Sequence, residues 1–438
     1  MFRRMIFVLA AMLVISGFST AQAGEGDAIL KILLKKGVIT EQEYKAIKEE
    51  LKAEPQKTQM KEEIKKEVME EVAKKKDEGL PEWTKRIKLS GLIEGDYHWK
   101  KYRDISDKNS DSTSDLYIGT VELGMETKVA DWISANIVFL AEDIGKNGEA
   151  NVTVDEATIT LQKEDFPLYL VIGKRTQPFG VFENHLVTDP MTQDAYETNR
   201  VGVTVGATGP LGLDVSATIY KGEEQMDKLI DDSELFEAAR VGDPGDDVGS
   251  YILSASISPE DHLKFFASYI SEPGRGKRNS TASFGLSTAI PGIEGFRLDG
   301  EYMKALQRER YLGLGEAFKE GVFSVTASYV FNTRERRKDL GGATLEERKT
   351  HLLEEPLELT FRYERFDDDE LAEKTSSWSA KNRYSLGVRY QFYKDEEKGL
   401  TAFVGTEYRY TNYRLHSSLT NTRADNNKEM FLKLGLSF

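Results

Sequence analysis

Lys428-Glu429-Met430-Phe431-Leu432-Lys433-Leu434-Gly435-Leu436-Ser437-Phe438 closes the chain. Met430, Leu432, Leu434, Leu436 and Phe438 occupy every second position, and Glu429, Lys433, Gly435 and Ser437 fill the gaps. A strand with this period of two presents an apolar face and a small or polar face. Alone it fits a soluble sandwich and a membrane barrel equally well. The remaining chain decides between them by repetition. Tyr117, Val121, Leu123, Met125 and Val129 alternate with Thr120, Glu122, Glu126 and Lys128. Tyr384, Leu386, Val388, Tyr390 and Phe392 alternate with Arg383, Ser385, Arg389 and Gln391.

Sixteen such segments follow from Ile87 onward, the second near Leu116, the sixth near Val201, the fourteenth near Asn382 and the last near Lys428. Short links such as Ala130-Asp131, Glu164–Pro167, Gly209-Pro210 and Pro259–Asp261 alternate with long polar ones such as Arg103–Asp115, Thr176–Arg200 and Lys221–Val248. That asymmetry of turns, with charge on one strand face and aromatics at the ends of the other, predicts an all-β fold: a transmembrane antiparallel β-barrel of about 16 strands. The link Asn332–Glu355 is long where a short turn is expected. It reads either as an insertion or as a sign that two strands are miscounted.

The composition is 39% hydrophobic and 30% charged, with 36 Gly, 21 Phe and 19 Tyr. A wide barrel tolerates this polarity because only about half of its strand residues meet lipid. Residues 1–23 read as a secretory signal peptide: Arg3 and Arg4, an apolar run from Met5 to Phe18, then Ala21-Gln22-Ala23. Residues 24–55 read as a helical hairpin, with Gly37 as a stop and Thr40/Glu43 as a capping box. Residues 56–83 read as a charged helix whose thin stripe is Met60, Ile64, Val68 and Val72. A solvated spacer and a short coiled coil between subunits both fit it. The expected architecture is therefore a small α-helical N-terminal region before a barrel over 84–438. The barrel region carries the whole formal charge of −15, since the +2 of residues 1–23 cancels the −2 of residues 24–83. So acidic a chain is a poor partner for nucleic acid.

A run in the middle of the barrel carries a resemblance. Phe166-Pro167-Leu168-Tyr169-Leu170 and Gly173 lead to Pro178-Phe179-Gly180-Val181-Phe182-Glu183, then Asp189-Pro190 and Glu197-Thr198-Arg200. With Ser90–Glu94, Thr120–Gly124, Asp131-Trp132, Val154–Ala157 and Gly295–Tyr302, this resembles the siderophore-porin family typified by the legiobactin receptor, over roughly 87–438. The resemblance implies an outer-membrane channel that passes an iron–siderophore or another small solute without energy coupling. It implies outer-membrane lipid and lipopolysaccharide as surroundings, and N-terminal helices in the periplasm. The terminal Phe438 resembles the signal read by the barrel-assembly machinery, and a homotrimer is expected by analogy with sixteen-strand porins.

Selectivity in such a channel belongs to whatever narrows it. Pro178 and Gly180 force the chain out of the strand, so Thr176–Arg200 is expected to fold into the lumen, with Phe179, Phe182, Glu183, His185, Asp189, Glu197 and Arg200 at the constriction. An external loop packed on its neighbours is the alternative. Parity puts Glu94, Asp96, Glu122, Glu126 and Glu156 on one inner arc and Arg362, Arg383, Arg389 and Arg409 on another. They would either set up a transverse field or brace the wall as local ion pairs. Acidic runs at Asp243–Asp247 and Asp367–Glu370 read as solvated loop tips or as divalent-cation sites.

No catalytic residue, cofactor or metal ligand set is expected. The five histidines, His98, His185, His262, His351 and His416, sit in no Gly-x-Ser-x-Gly or His-Glu-x-x-His setting. A role as an envelope anchor, tethered through the charged helix, is the rival to a channel.

Overall fold

The computed structural model describes residues 86–102, 109, 111–146, 151–229, 235–236, 245–310, 317–331, 356–395 and 399–438. The expected signal peptide, hairpin and charged helix lie outside these residues, as do the link 332–355 and part of the acidic run at 243–247.

The strands are β1 (Ile87–Lys100), β2 (Thr113–Ala130), β3 (Ile133–Ile144), β4 (Thr153–Gln162), β5 (Leu168–Thr176), β6 (Asn199–Gly209), β7 (Leu213–Lys221) and β8 (Val248–Glu260). They continue as β9 (Leu263–Glu272), β10 (Asn279–Ala289), β11 (Phe296–Gln307), β12 (Gly321–Phe331), β13 (Leu357–Asp367), β14 (Trp378–Asp395), β15 (Leu400–Leu415) and β16 (Asn426–Ser437). Each pairs antiparallel with its sequence neighbours, and β16 returns to β1, closing the barrel. The count of sixteen therefore stands, and β12 and β13, on either side of the link 332–355, pair directly from Gly321↔Asp367 to Phe331↔Leu357.

The seam runs from Leu92↔Ser437 to Lys100↔Glu429. Beyond it, Gly91 and Phe438 exchange backbone bonds of 2.8 and 3.0 Å. The Phe438 ring lies over Gly91, where a side chain would collide with it. Closure leaves no unpaired edge along the wall.

The period of two then sorts each strand into an outside and an inside. On β16, Leu432, Leu434 and Leu436 stay exposed outside, while Glu429 is buried inside. Val201 and Val205 on β6, Phe284 on β10, Phe361 on β13 and Leu386 on β14 continue the apolar exterior. One grouping from the sequence fails here. The register of β1 and β2 shifts between Glu94 and Gly95, so Tyr117 pairs with the inward Asp96 rather than sharing a face with Val121. A bulge inserts one residue and reverses the parity beyond it. Strands β2 and β14 also start three or four residues earlier than their alternation suggests. Ser114↔Trp99 and Trp378↔Leu415 keep their ladders going past the apolar pattern.

Inside, aromatic rings lie on glycines of the next strand. Tyr169 covers Gly206, Phe266 covers Gly285 and Phe403 covers Gly435, each leaving no room for a Cβ. Tyr169 also donates to Asp214 Oδ1 at 2.9 Å. Gly206→Leu should displace that ring and break its hydrogen bond, at a cost of about 1–3 kcal/mol. The expected result is a lower unfolding temperature for the detergent-extracted barrel on unheated gels; an unchanged temperature contradicts the packing.

Candidate functional site: a loop folded into the barrel

β5 ends at Thr176, and the chain then turns inward. The turn needs two left-handed residues, Gly180 (φ 78°) and Phe182 (φ 53°). At Gly180 a Cβ would also run into Met303 and the Phe182 ring, so glycine is required on both counts. A short helix, α1 (Met191–Tyr196), precedes the return to β6.

A loop inside a barrel must find partners for its backbone N–H groups. Here the far wall supplies carboxylates. Glu301 on β11 accepts from Val181 N (3.1 Å) and Phe182 N (3.4 Å). Glu407 on β15 accepts from Val187 N (3.1 Å), Thr188 N (2.8 Å) and Thr188 Oγ1. Glu364 on β13 accepts from Met191 N at 2.5 Å. Ser268 on β9 accepts from Gly180 N at 3.1 Å. Arg362 completes the anchor, donating to the carbonyls of Thr188 (2.9 Å) and Asp189 (3.0 Å). It also pairs with Glu364 (3.2 Å) and Glu407 (3.9 Å), all three side chains being fully buried.

His185 bridges β11 and β13, with Nε2 3.1 Å from Asp299 and Nδ1 2.8 Å from Glu358. Burial opposes charge on this ring, but the two carboxylate partners outweigh it and raise its pKa to about 9. Glu183 and Asp299 come close enough to His185 to suggest a metal triad. Both ring nitrogens already face carboxylates, and Arg297 pairs with Glu183 (3.5 Å) and Asp299 (3.3 Å). The trio is an ion-pair network.

The remaining sequence candidates fall into three settings. Phe179 is fully buried in an apolar cluster inside the barrel, with Met191, Tyr196, Ile252, Ile270, Met303, Val322 and Phe366, and Phe182 packs against it. Met226, Leu229, Leu235 and Phe236 from the segment after β7 join this cluster. That segment is held by Glu272, which accepts from Tyr220 Oη, Glu224 N and Gln225 N. Glu197 accepts from Thr176 Oγ1 (3.3 Å) and lies 3.9 Å from Lys228, and Arg200 pairs with Glu224.

The arginine arc is interleaved with acids. Besides Arg362, Arg383 pairs with Asp194 (2.9 Å) on α1, and Arg409 with Glu429 (2.8 Å). Arg389 instead stacks on Phe403, 4.0 Å from the ring centre. On the acidic arc, Lys433 serves both Glu94 (2.5 Å) and Asp96 (3.8 Å), Glu126 meets Lys88 (3.6 Å), and Glu156 accepts from Asn136 (2.8 Å). Glu122 stays half-buried on β2. Asp368, grouped with loop tips in the sequence, is instead buried. It accepts from Ala372 N and Ser379 Oγ and caps a short helix, α2 (Leu371–Lys374).

The lumen is thus filled eccentrically. Inward side chains on β9–β13 such as Ser283, Met303, Thr326 and Arg362 are buried. Those on β2–β5, such as Glu122, Asn136, Glu156, Thr158 and Arg175, stay partly exposed. Glu301, Glu358, Glu364, Glu407 and Asp299, the loop's anchors, were not singled out from sequence. Their signal was an inward parity with more acid than base on β11 and β13; on β15 Glu407 stands beside a single base, Arg409.

No family model matches the chain, and no curated protein matches it. Among solved structures, the outer membrane channel DcaP of Acinetobacter baumannii is similar in fold, with a TM-score of 0.54 and 12% identity over 80% of this chain and 97% of that one. OmpF of Salmonella typhi, solved with daunomycin, gives 0.52 and 14% over 80% and 97%. At these identities the likeness is one of fold.

Arg362→Ala would leave Glu407 buried without its arginine and Glu364 with only the more distant Arg383 (3.9 Å), a loss of about 3–5 kcal/mol. Limited proteolysis should then cut between 177 and 198 in the variant and spare that segment in the parent. Equal resistance would contradict the anchoring role.

Proposed function

We propose that the chain is an outer-membrane porin, a passive water-filled channel for small solutes. The observation that supports the proposal is the partial exposure of the inward side chains on β2–β5, while those behind the in-folded loop are buried. A sixteen-strand barrel has a lumen wide enough for water, and a loop crossing it sets the aperture. Phe179 and Phe182 root the loop, while Glu183, His185, Asp189, Glu197 and Arg200 are proposed to border the opening.

The wet wall carries Glu122, Glu126, Glu142, Asp155 and Glu156 against Arg175 and Lys88, the latter paired with Glu126. The arginines of the opposite arc are largely neutralised by their partners. The aperture is therefore proposed to favour cations. Iron–siderophore as cargo has the family resemblance as its support. The apolar exterior suits lipid and lipopolysaccharide, and its breadth leaves room for contacts between copies in a trimer. The exposed terminal ring of Phe438 suits recognition by the assembly machinery.

Planar-bilayer recording of the full chain tests this, with a salt gradient and a solute panel that includes a ferric siderophore. A cation-selective conductance is expected, and deleting Gln177–Thr198 should enlarge it; equal conductance with and without the loop would remove the constriction. Asp189 supplies a pH signature. Withdrawal of the carboxyl from water between loop and wall, with Asp194 and Glu197 nearby, raises it to about 6, against the opposing pull of Arg362 and Asn184. It is charged above that value and neutral below it. Cation preference should fall as pH drops from 7.5 to 5, and Asp189→Asn should flatten the step; a step unchanged in the variant assigns the titration elsewhere.

A further inference from the structure

A cavity of about 340 Å³ lies under the in-folded loop, toward the barrel end that carries the C-terminus. Asp189 and Val187 line it from the loop, and Arg389, Phe403, Gly405 and Lys433 from the wall. Arg362, Arg383 and Arg409 each have carboxylate partners. Arg389 has none among the described residues; its guanidinium carbon lies over the Phe403 ring, 4.0 Å from the centre, and that ring is seated over Gly435. Stacking fixes the plane of a guanidinium and leaves its N–H edges free, the arrangement that grips a carboxylate with two parallel bonds.

Register widens the site. Arg389 pairs with Gly405, which pairs with Lys433, so no wall side chain stands between the two cations, and Val187 of the loop rests against Gly405. Lys433 is already occupied by Glu94 at 2.5 Å. From the loop, Asp189 accepts one bond from Asn184 (3.0 Å), and its residue stays exposed to the lumen. One cavity thus has an unpaired cation on its wall and an open carboxylate on its roof.

We propose that this cavity is a subsite for small zwitterions, taking a carboxylate at Arg389 and an ammonium group at Asp189. The proposal rests on the channel reading for how the solute arrives, and on the cavity alone for what is held. A plain anion is repelled by the acids of β2–β4, and a plain cation meets Arg389. A zwitterion of amino-acid size satisfies both ends.

Calorimetric titration of the detergent-solubilised full chain with 4-aminobutyrate, butyrate and butylamine tests the assignment. 4-Aminobutyrate should bind about tenfold more tightly than either singly charged analogue, the difference a second charge-assisted contact supplies. Arg389→Gln and Asp189→Asn should each reduce that affinity about tenfold, and Arg389→Lys should recover part of it, because an ammonium keeps the charge and loses the fork. Equal affinity for all three probes, or indifference to both substitutions, overturns the site. Bilayer recordings on the same preparations separate the two readings. Selective binding without conductance removes the channel and keeps the subsite; conductance without selective binding does the reverse.

Discussion

Closure of β16 onto β1 is the constraint from which the other features follow. Once the seam pairs, every strand has two neighbours and every side chain is committed to an inside or an outside. A one-residue slip at the seam would exchange Leu434 for Lys433 on the exterior. The Gly91–Phe438 contact guards against that slip, because the ring has one place to lie. Parity then makes it physically admissible for Glu301, Glu364 and Glu407 to sit deep in the molecule. They are shielded from the apolar exterior by the backbone ladder and aimed at a space that holds polar partners.

Those acids change what an in-folded loop is. A polypeptide crossing a lumen brings a row of N–H donors, and each one left unpaired away from water is costly. Carboxylates are the strongest neutralising acceptors available, yet burying them creates a charge problem of its own. Arg362 solves it by standing between Glu364 and Glu407 and returning its remaining donors to loop carbonyls. The loop, the wall acids and the arginine are thus interdependent, and none has a stable environment without the others.

Sequence alone revealed the strands because alternation is local: Met430–Phe438 or Tyr384–Phe392 can be read without knowing their neighbours. It also flagged the inward turn, since Pro178 and Gly180 leave a strand few options. It missed the Tyr117 face because a bulge is a property of two paired strands. It missed Asp299, Glu301 and Glu407 as anchors because their partners lie between about 110 and 220 positions away along the chain. The interleaving of Arg362, Arg383 and Arg409 with acids was equally invisible, because parity gives the face of a residue and not who stands opposite. The apolar cluster around Phe179 needed the whole lumen, since it draws on the loop, the segment after β7 and half the wall.

The lopsided filling of the lumen divides labour around the circumference. Behind the loop, Ile270, Met303, Val322 and Phe366 are packed as tightly as the centre of any water-soluble domain. Replacing one of them disturbs stability first. On the opposite arc, Glu122, Asn136, Glu156 and Thr158 stay partly exposed, so their identities can drift at smaller energetic cost. One half of the cylinder is thereby free to change its inner side chains while the other keeps the molecule standing.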